Sequence, residues 1–307
     1  MRRVRYEVNG GPEVLFCEEV AVPEPGPGEL LVRCEAVGVT LPTVRKVREA
    51  KEPAPLGGEV AGTVVAVGEG VTGFAAGDRV TGLCFAAAYA ELAVVHEAMA
   101  SRIPDRASCV EAVALVRSGL VARGAYGAGR PRPGDAVLVT AAASTTGALA
   151  LQYAKAGGAS HVVAAVGSAD KADFVRGLGA DEVVVYEDAS WGEPVDLVLD
   201  GVGGALLGPA VRALAPRGRL VAFGSGGGSV DAYELLVRSA SVTGFHMAAV
   251  ARDEPERCAR WREELWELRR AGTLRPSVFA ELPLAEAAQA HGIIEARRNL
   301  GKVVLVP

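Results

Sequence analysis

The stretch 135–171, DAVLVTAAASTTGALALQYAKAGGASHVVAAVGSADK, limits the fold of this chain more than any other segment. It opens on Ala136-Val137-Leu138-Val139-Thr140, apolar and β-branched enough for a strand buried on both faces. Small and hydroxylated residues fill 141–146, and Gly147 follows. Residues 148–156 have helix-forming composition, and Gly157-Gly158 ends that helix. His161-Val162-Val163-Ala164-Ala165-Val166 reads as the next strand. Strand, tight turn, helix and strand make a βαβ unit, the start of a parallel sheet of the nucleotide-binding kind.

A dinucleotide-binding turn places glycines at i, i+2 and i+5, for the tight turn, for close approach to pyrophosphate and for helix–strand contact. The corresponding positions are Ala142, Ser144 and Gly147, so only the packing glycine is present. The helix N-terminus still offers unpaired N–H groups and a positive dipole end. Holding Ala or Ser at positive φ costs about 1–2 kcal/mol. Two readings stand: the turn receives a diphosphate, or Ser144 or Thr145 caps the helix of an empty turn.

The 307 residues allow one large domain or two ordinary ones with a sizeable core. The net charge of −5 and the lack of a long basic run argue against a nucleic-acid binder. Cys17, Cys34, Cys84, Cys109 and Cys258 show no C-x-x-C spacing, which argues against a zinc lobe and a disulfide framework. Buried free thiols in a reducing cytoplasm are expected. MRRVRYEVNGG has basic residues but no apolar core, so no signal peptide is expected. The uncharged span 136–154 is interrupted by Ser-Thr-Thr-Gly, so a membrane helix is not expected.

Read in order, residues 1–34 alternate as strands around Gly10-Gly11-Pro12 and the Pro/Gly-rich 23–28. A short helix is predicted to start near Pro42. Glycine-punctuated strands over 57–68, 77–80 and 89–95 complete a barrel-like β region. From Cys109 helical composition takes over, with further strands at 182–186, 195–200, 219–223 and 241–246. Such alternation predicts a parallel sheet covered by helices. Residues 254–271 form a charged amphipathic helix with Trp261, Leu265, Trp266 and Leu268 as core contacts, and a helix at 283–288 and a strand at 303–306 close the chain.

This order of segments resembles the medium-chain dehydrogenase/reductase superfamily, in its zinc-free quinone oxidoreductase (zeta-crystallin-like) branch. The landmarks are Gly10-Gly11-Pro12-Glu13-Val14-Leu15, Gly62-Thr63-Val64-Val65-Ala66-Val67-Gly68, Gly77-Asp78-Arg79-Val80, Tyr89-Ala90-Glu91, Pro283-Leu284, Ala290-His291 and Gly301-Lys302-Val303-Val304-Leu305. The resemblance implies an α/β protein: a GroES-like β-barrel domain (1–112 and 250–307) and a Rossmann-type doubly wound parallel sheet (113–249). Zinc-using relatives have Cys and Gly-His-Glu where this chain has Thr40 and Gly57-Gly58-Glu59, so no metal is expected. Of the four histidines only His246, at a strand end, was a site candidate, and packing or capping is the preferred reading.

No acid follows Val166 to accept from a ribose 2′-OH; Gly167 and Ser168 stand there, and Lys171 comes one turn later beside Asp170. The family holds a 2′-phosphate with Gly, Lys and Tyr, matched by Gly167, Lys171 and Tyr186. NADP(H) is therefore the expected cofactor, on Ser144, Thr145, Thr146, Gly147, Gly167, Ser168, Lys171, Tyr186 and Gly224. The family's glycine-rich turn resembles Ala-Ser-Gly-Gly-Val-Gly, whereas 142–147 reads AASTTG; its side chains either crowd a pyrophosphate or donate to it. The family's substrate-facing Asn and Tyr are missing, and Thr40, Thr43 and Arg45 are the polar groups left to bind a carbonyl oxygen. The implied activity is zinc-independent NADPH-dependent reduction of a quinone or enone/enoyl substrate by a cytoplasmic homodimer. The rival expectation is a redox-inactive cyclase, isomerase or small-molecule binding protein. An Arg-, Ala- and Gly-rich composition suggests a GC-rich bacterial source, where such reductases often serve secondary metabolism.

Overall fold

Alternating side chains near the start of the chain form β1 (Arg2–Arg5) and β2 (Phe16–Glu19), an antiparallel pair of their own. β3 (Glu29–Val39), α1 (Leu41–Glu49), β4 (Gly58–Val67), β5 (Arg79–Cys84), β6 (Leu92–His96), β7 (Ala100–Arg102) and α2 (Cys109–Ala128) follow. Next come β8 (Ala136–Val139), α3 (Thr145–Ala156), β9 (His161–Val166), α4 (Ala172–Gly177), β10 (Glu182–Val185) and β11 (Val195–Asp200). They are followed by α5 (Leu207–Arg212), β12 (Leu214–Ala222), α6 (Ala232–Arg238) and β13 (Ser241–Gly244). α7 (Met247–Asp253), α8 (Pro255–Arg270), β14 (Val278–Pro283), α9 (Ala287–Glu295) and β15 (Lys302–Val306) end the chain. The structure is a computed structural model and describes all residues, Met1–Pro307.

Two compact units result, residues 1–117 with 277–307 and residues 118–276. The segment 250–276, assigned from sequence to the barrel domain, therefore belongs to the second unit. The cause is the apolar face of α8, which buries Cys258, Trp261 and Leu265, while Trp266 and Leu268 are only half-buried. Leu265 lies against Gly119 of α2, leaving no room for a side chain there, and Arg123 pairs with Glu264 at 2.8 Å.

The first unit is a seven-stranded sheet, β14-β15-β3-β4-β5-β7 with β6 also on β3. Only β14 and β15 run parallel; the other pairings are antiparallel. β3 is central, and Leu30, Val32, Val37, Val60, Val64, Val303 and Leu305 form its core. The alternation ends this strand at Cys34, but it runs on through Gly38 to Val39. Gly38 is required there because a Cβ would sit 2.5 Å from Lys302 Cε and 2.7 Å from Glu59 Oε2.

The second unit is a six-stranded, wholly parallel sheet in the order β10-β9-β8-β11-β12-β13. Counting from β8 this is 3-2-1-4-5-6, the doubly wound order in which ligands bind outside the carboxyl ends of strands 1 and 4. Leu138, Val163, Val198, Leu214 and Leu220 are buried between helices, as apolar runs in a covered parallel sheet must be. β13 is an outer strand with three of its residues, Ser241, Thr243 and Gly244, exposed, and α6 exposes Tyr233, Leu236 and Val237. No helix is long and apolar enough to cross a membrane. All five cysteines are free; four are buried and Cys17 is exposed.

One buried pair in the first unit makes stability depend on pH. Tyr89 Oη lies 3.1 Å from His291 Nε2, with both side chains out of solvent. Burial pushes the imidazole pKa down to about 4, against a small opposing pull from Glu295. The unfolded chain takes up this proton near pH 6.5, the folded chain only at a lower pH, so folding loses stability as pH falls through that window. The slope is about 1.4 kcal/mol per pH unit. Melting temperatures of the wild type and His291→Gln, compared from pH 6.5 to 5, should converge as pH falls; parallel curves would contradict a neutral buried imidazole.

Candidate functional site

β8 ends at the switch point, and the residue after it ties two strands together. Thr140 is fully buried; its hydroxyl donates to Asp200 Oδ1 at 2.7 Å and accepts from Gly201 N at 2.9 Å. Asp200, also fully buried, accepts from Val202 N at 3.2 Å and from Gly203 N at 2.9 Å. Its carboxylate thus organises the loop beyond β11 from below. Neither residue was singled out from sequence. The usable signal was a carboxylate following the apolar run Leu197-Val198-Leu199, which must find donors if buried.

The turn after β8 is left-handed one residue earlier than the glycine spacing suggested. Ala141 has φ +49°, whereas Ser144 is extended at φ −75° and Ala142 is not among the positive-φ residues. Ala141 N donates to Tyr186 Oη at 2.8 Å and Ser144 N donates to Ala141 O at 2.8 Å, which hold this conformation. Ser144 caps α3, accepting from Gly147 N at 3.1 Å. The helix therefore begins at Thr145 rather than 148. Gly147 is the packing glycine, since a Cβ would collide with the carbonyl oxygen of Ala141. Thr145 and Thr146 are half-buried, and neither hydroxyl has a partner within the protein. Their amides lie in the first turn of α3 and have no intrahelical acceptor.

β9 stops at Val166, so Gly167 and Ser168 follow directly, without an acid. The Ser168 hydroxyl makes no capping bond, and Lys171 sits half-buried in the short helical turn beyond it. Tyr186 joins this place to the turn: a Cβ on Gly167 would lie 3.7 Å from its ring, and its hydroxyl holds Ala141. The C-terminal ends of β8, β9 and β10 thus gather the turn, Gly167 and Tyr186. Gly224 has a packing role, because a side chain there would strike the Gly201 backbone.

In the first unit, Thr40 caps α1, and its Oγ1 lies 3.1 Å from Thr43 Oγ1. Thr43 donates its only hydroxyl proton to Gly57 O at 3.0 Å, so Thr40 is the donor between the two hydroxyls. Thr43 is buried and fully used; Arg45 is half-buried and engaged within the protein. Next to them is a cluster the sequence did not reveal. Glu59, 2 % exposed, pairs with the buried ammonium of Lys302 and, at 2.9 Å, with Arg117 Nη1. Burial alone would raise the Glu59 pKa, but the two cations hold the carboxyl below its usual range.

No three His, Cys, Asp or Glu side chains are grouped to hold a metal. His96 caps a turn through Ala98 N, His161 meets Glu182 at 3.0 Å, and His246 is exposed at the start of α7 without a capping bond.

Comparison with known proteins agrees with both units. Residues 26–105 match the alcohol dehydrogenase GroES-like domain, and residues 145–264 the zinc-binding dehydrogenase domain. A quinone oxidoreductase of Pseudomonas aeruginosa is 35% identical over 100% of this chain and 99% of its own. The chain belongs to the quinone oxidoreductase branch of the medium-chain dehydrogenase/reductase superfamily. A 2-haloacrylate reductase of a Burkholderia species is 30% identical, covering 97% of this chain and 96% of its own length. A mycobacterial structure solved with NADPH superposes with a TM-score of 0.93 at 33% identity, over the full length of both chains. In this superfamily the second unit is the Rossmann-type domain and the first the GroES-like one. Thr40 and Gly57-Gly58-Glu59, the positions matched to zinc ligands in other branches, offer a capping hydroxyl, two glycines and a carboxylate already bound by two cations. That donor set does not suit zinc.

Proposed function

We propose that this protein is a zinc-independent, NADP(H)-dependent reductase of conjugated carbonyl compounds. The observation that carries this reading is the end of β9. There a lysine and an unbonded serine hydroxyl stand where an acid would accept from a ribose 2′-OH. A 2′-phosphate fits such a place through charge-assisted hydrogen bonds. The diphosphate fits the amides and unpartnered hydroxyls of Thr145 and Thr146, and the helix dipole favours it. Ser144 contributes by capping, and Gly147 by letting α3 approach the strand.

When bound, the dihydronicotinamide supplies a hydride to the substrate's β-carbon. The protein's part is to place the substrate and to hold the charge that builds on its carbonyl oxygen. Thr40 is the hydroxyl for that task, releasing Thr43 to do so, and Thr43 positions it from the Gly57 carbonyl. No tyrosine acid stands on α1, so solvent protonates the α-carbon.

The reading is tested by nucleotide affinity. Wild-type protein should bind NADPH at least 10-fold more tightly than NADH, and Lys171→Ala should erase most of that preference. The loss corresponds to a charged hydrogen bond of about 1.5–3 kcal/mol. No binding at millimolar NADPH would favour the redox-inactive alternative, in which Thr145 and Thr146 crowd the turn. The exposed outer strand β13 and the apolar residues of α6 support a homodimer formed along that edge. Sedimentation should then give twice the chain mass for wild type and the chain mass for Leu236→Glu; a monomeric wild type would contradict it.

A further inference from the structure

The Glu59 cluster carries one more cation than it needs. Lys302 alone neutralises the carboxylate: its side chain is 2 % exposed and its ammonium is bound to Glu59 Oε2. Arg117 adds a second positive charge on Oε1, so the three groups sum to +1. Its side chain is 37% exposed, and Nη1 is the guanidinium nitrogen that is tied down. The rest of the planar fork is available for a bidentate contact.

Strand register places the carboxylate that holds this fork near the proposed carbonyl-binding hydroxyl. Glu59 is the cross-strand partner of Gly38, and side chains two residues apart share a face. Thr40 follows Gly38 by two residues and continues the extended backbone at φ −134°, ψ 150°. Thr40 and Glu59 therefore lie on one face as diagonal neighbours, a relation that brings residues to about 7–8 Å of each other and their Cβ atoms somewhat closer. Gly38 confirms which face this is, since its missing Cβ is where Glu59 and Lys302 meet.

We propose that Arg117 is the specificity residue that receives a substrate carboxylate, making α,β-unsaturated carboxylic acids the preferred substrates. This rests on the reductase reading above. In the reaction the acid's double bond gains a hydride at the β-carbon and a solvent proton at the α-carbon, and the dihydronicotinamide is oxidised. An unsaturated carboxylate resists hydride addition because a second negative charge builds beside the first. A fixed surplus cation opposes that build-up, whereas a neutral quinone gains less from it. Lys302 and Glu59 act as positioning residues, holding the guanidinium through one nitrogen.

Acrylate and its methyl ester differ only in the charge at issue. Arg117→Gln should lower kcat/KM with NADPH by about 30–100-fold for acrylate and by no more than 5-fold for the ester, with Arg117→Lys intermediate. Propionate binding, followed calorimetrically in the presence of NADP⁺, should weaken by a similar factor. Lys302 remains to compensate Glu59, so Arg117→Gln leaves no unpaired buried charge and should fold. Equal losses on acid and ester, or wild-type protein that reduces quinones and the ester but neither turns over acrylate nor binds propionate, would overturn the assignment. Propionate binding that depends on Arg117 in protein that oxidises no NADPH would instead sink the reductase reading and keep the anion site.

Discussion

The second unit depends on one close approach, that of α3 to the end of β8. Gly147 touches the Ala141 carbonyl, and no side chain at that position would let the helix reach the strand. The approach aims the N-terminus of α3 across the carboxyl ends of the sheet. It also forces Ala141 into a left-handed conformation, a strain of about 1–2 kcal/mol, offset by the bonds to Tyr186 and Ser144. Thr140 and Asp200 hold the neighbouring strand end in place beneath it. Everything assigned to nucleotide binding is built around this junction.

In the first unit, the equivalent constraint is electrostatic. A carboxylate, an ammonium and a guanidinium share the face of β3 and β4 that Gly38 leaves open. Such a group is costly to bury and weak evidence for stability, and a specific role is the better reason to keep it. Here its charge surplus and its register beside Thr40 supply one. That carboxylate is already bound by two cations, which leaves it a poor ligand for zinc.

Much of the fold was legible because parallel sheets write themselves as short apolar runs. β9 and β11 match the expected segments residue for residue, and β8 to within one residue. What sequence reading missed has physical causes. α3 begins three residues early because Ser144 caps it, and hydroxyl-rich turns do not announce which hydroxyl will cap. β3 passes through Gly38 because a long-range ion pair fills the space, and no local pattern encodes that. The return of the chain at 277 rather than 250 follows from the packing of Leu265 on Gly119, a contact across about half the chain. The cofactor candidates Gly167, Tyr186 and the turn do converge, whereas Gly224 and Thr43 are occupied by packing and hydrogen bonding. Arg117 was invisible, since nothing in a helix sequence shows that an arginine will meet a distant glutamate.

The nucleotide site depends on the turn 142–147 receiving a diphosphate although Ser144 and Thr145 stand where the family has glycines. A crystal structure grown with NADPH measures this directly. The account predicts diphosphate oxygens within about 3 Å of the Thr145 and Thr146 amides, with Ser144 still capping α3. Threonine side chains filling that space, with the nucleotide absent or bound elsewhere, would contradict it.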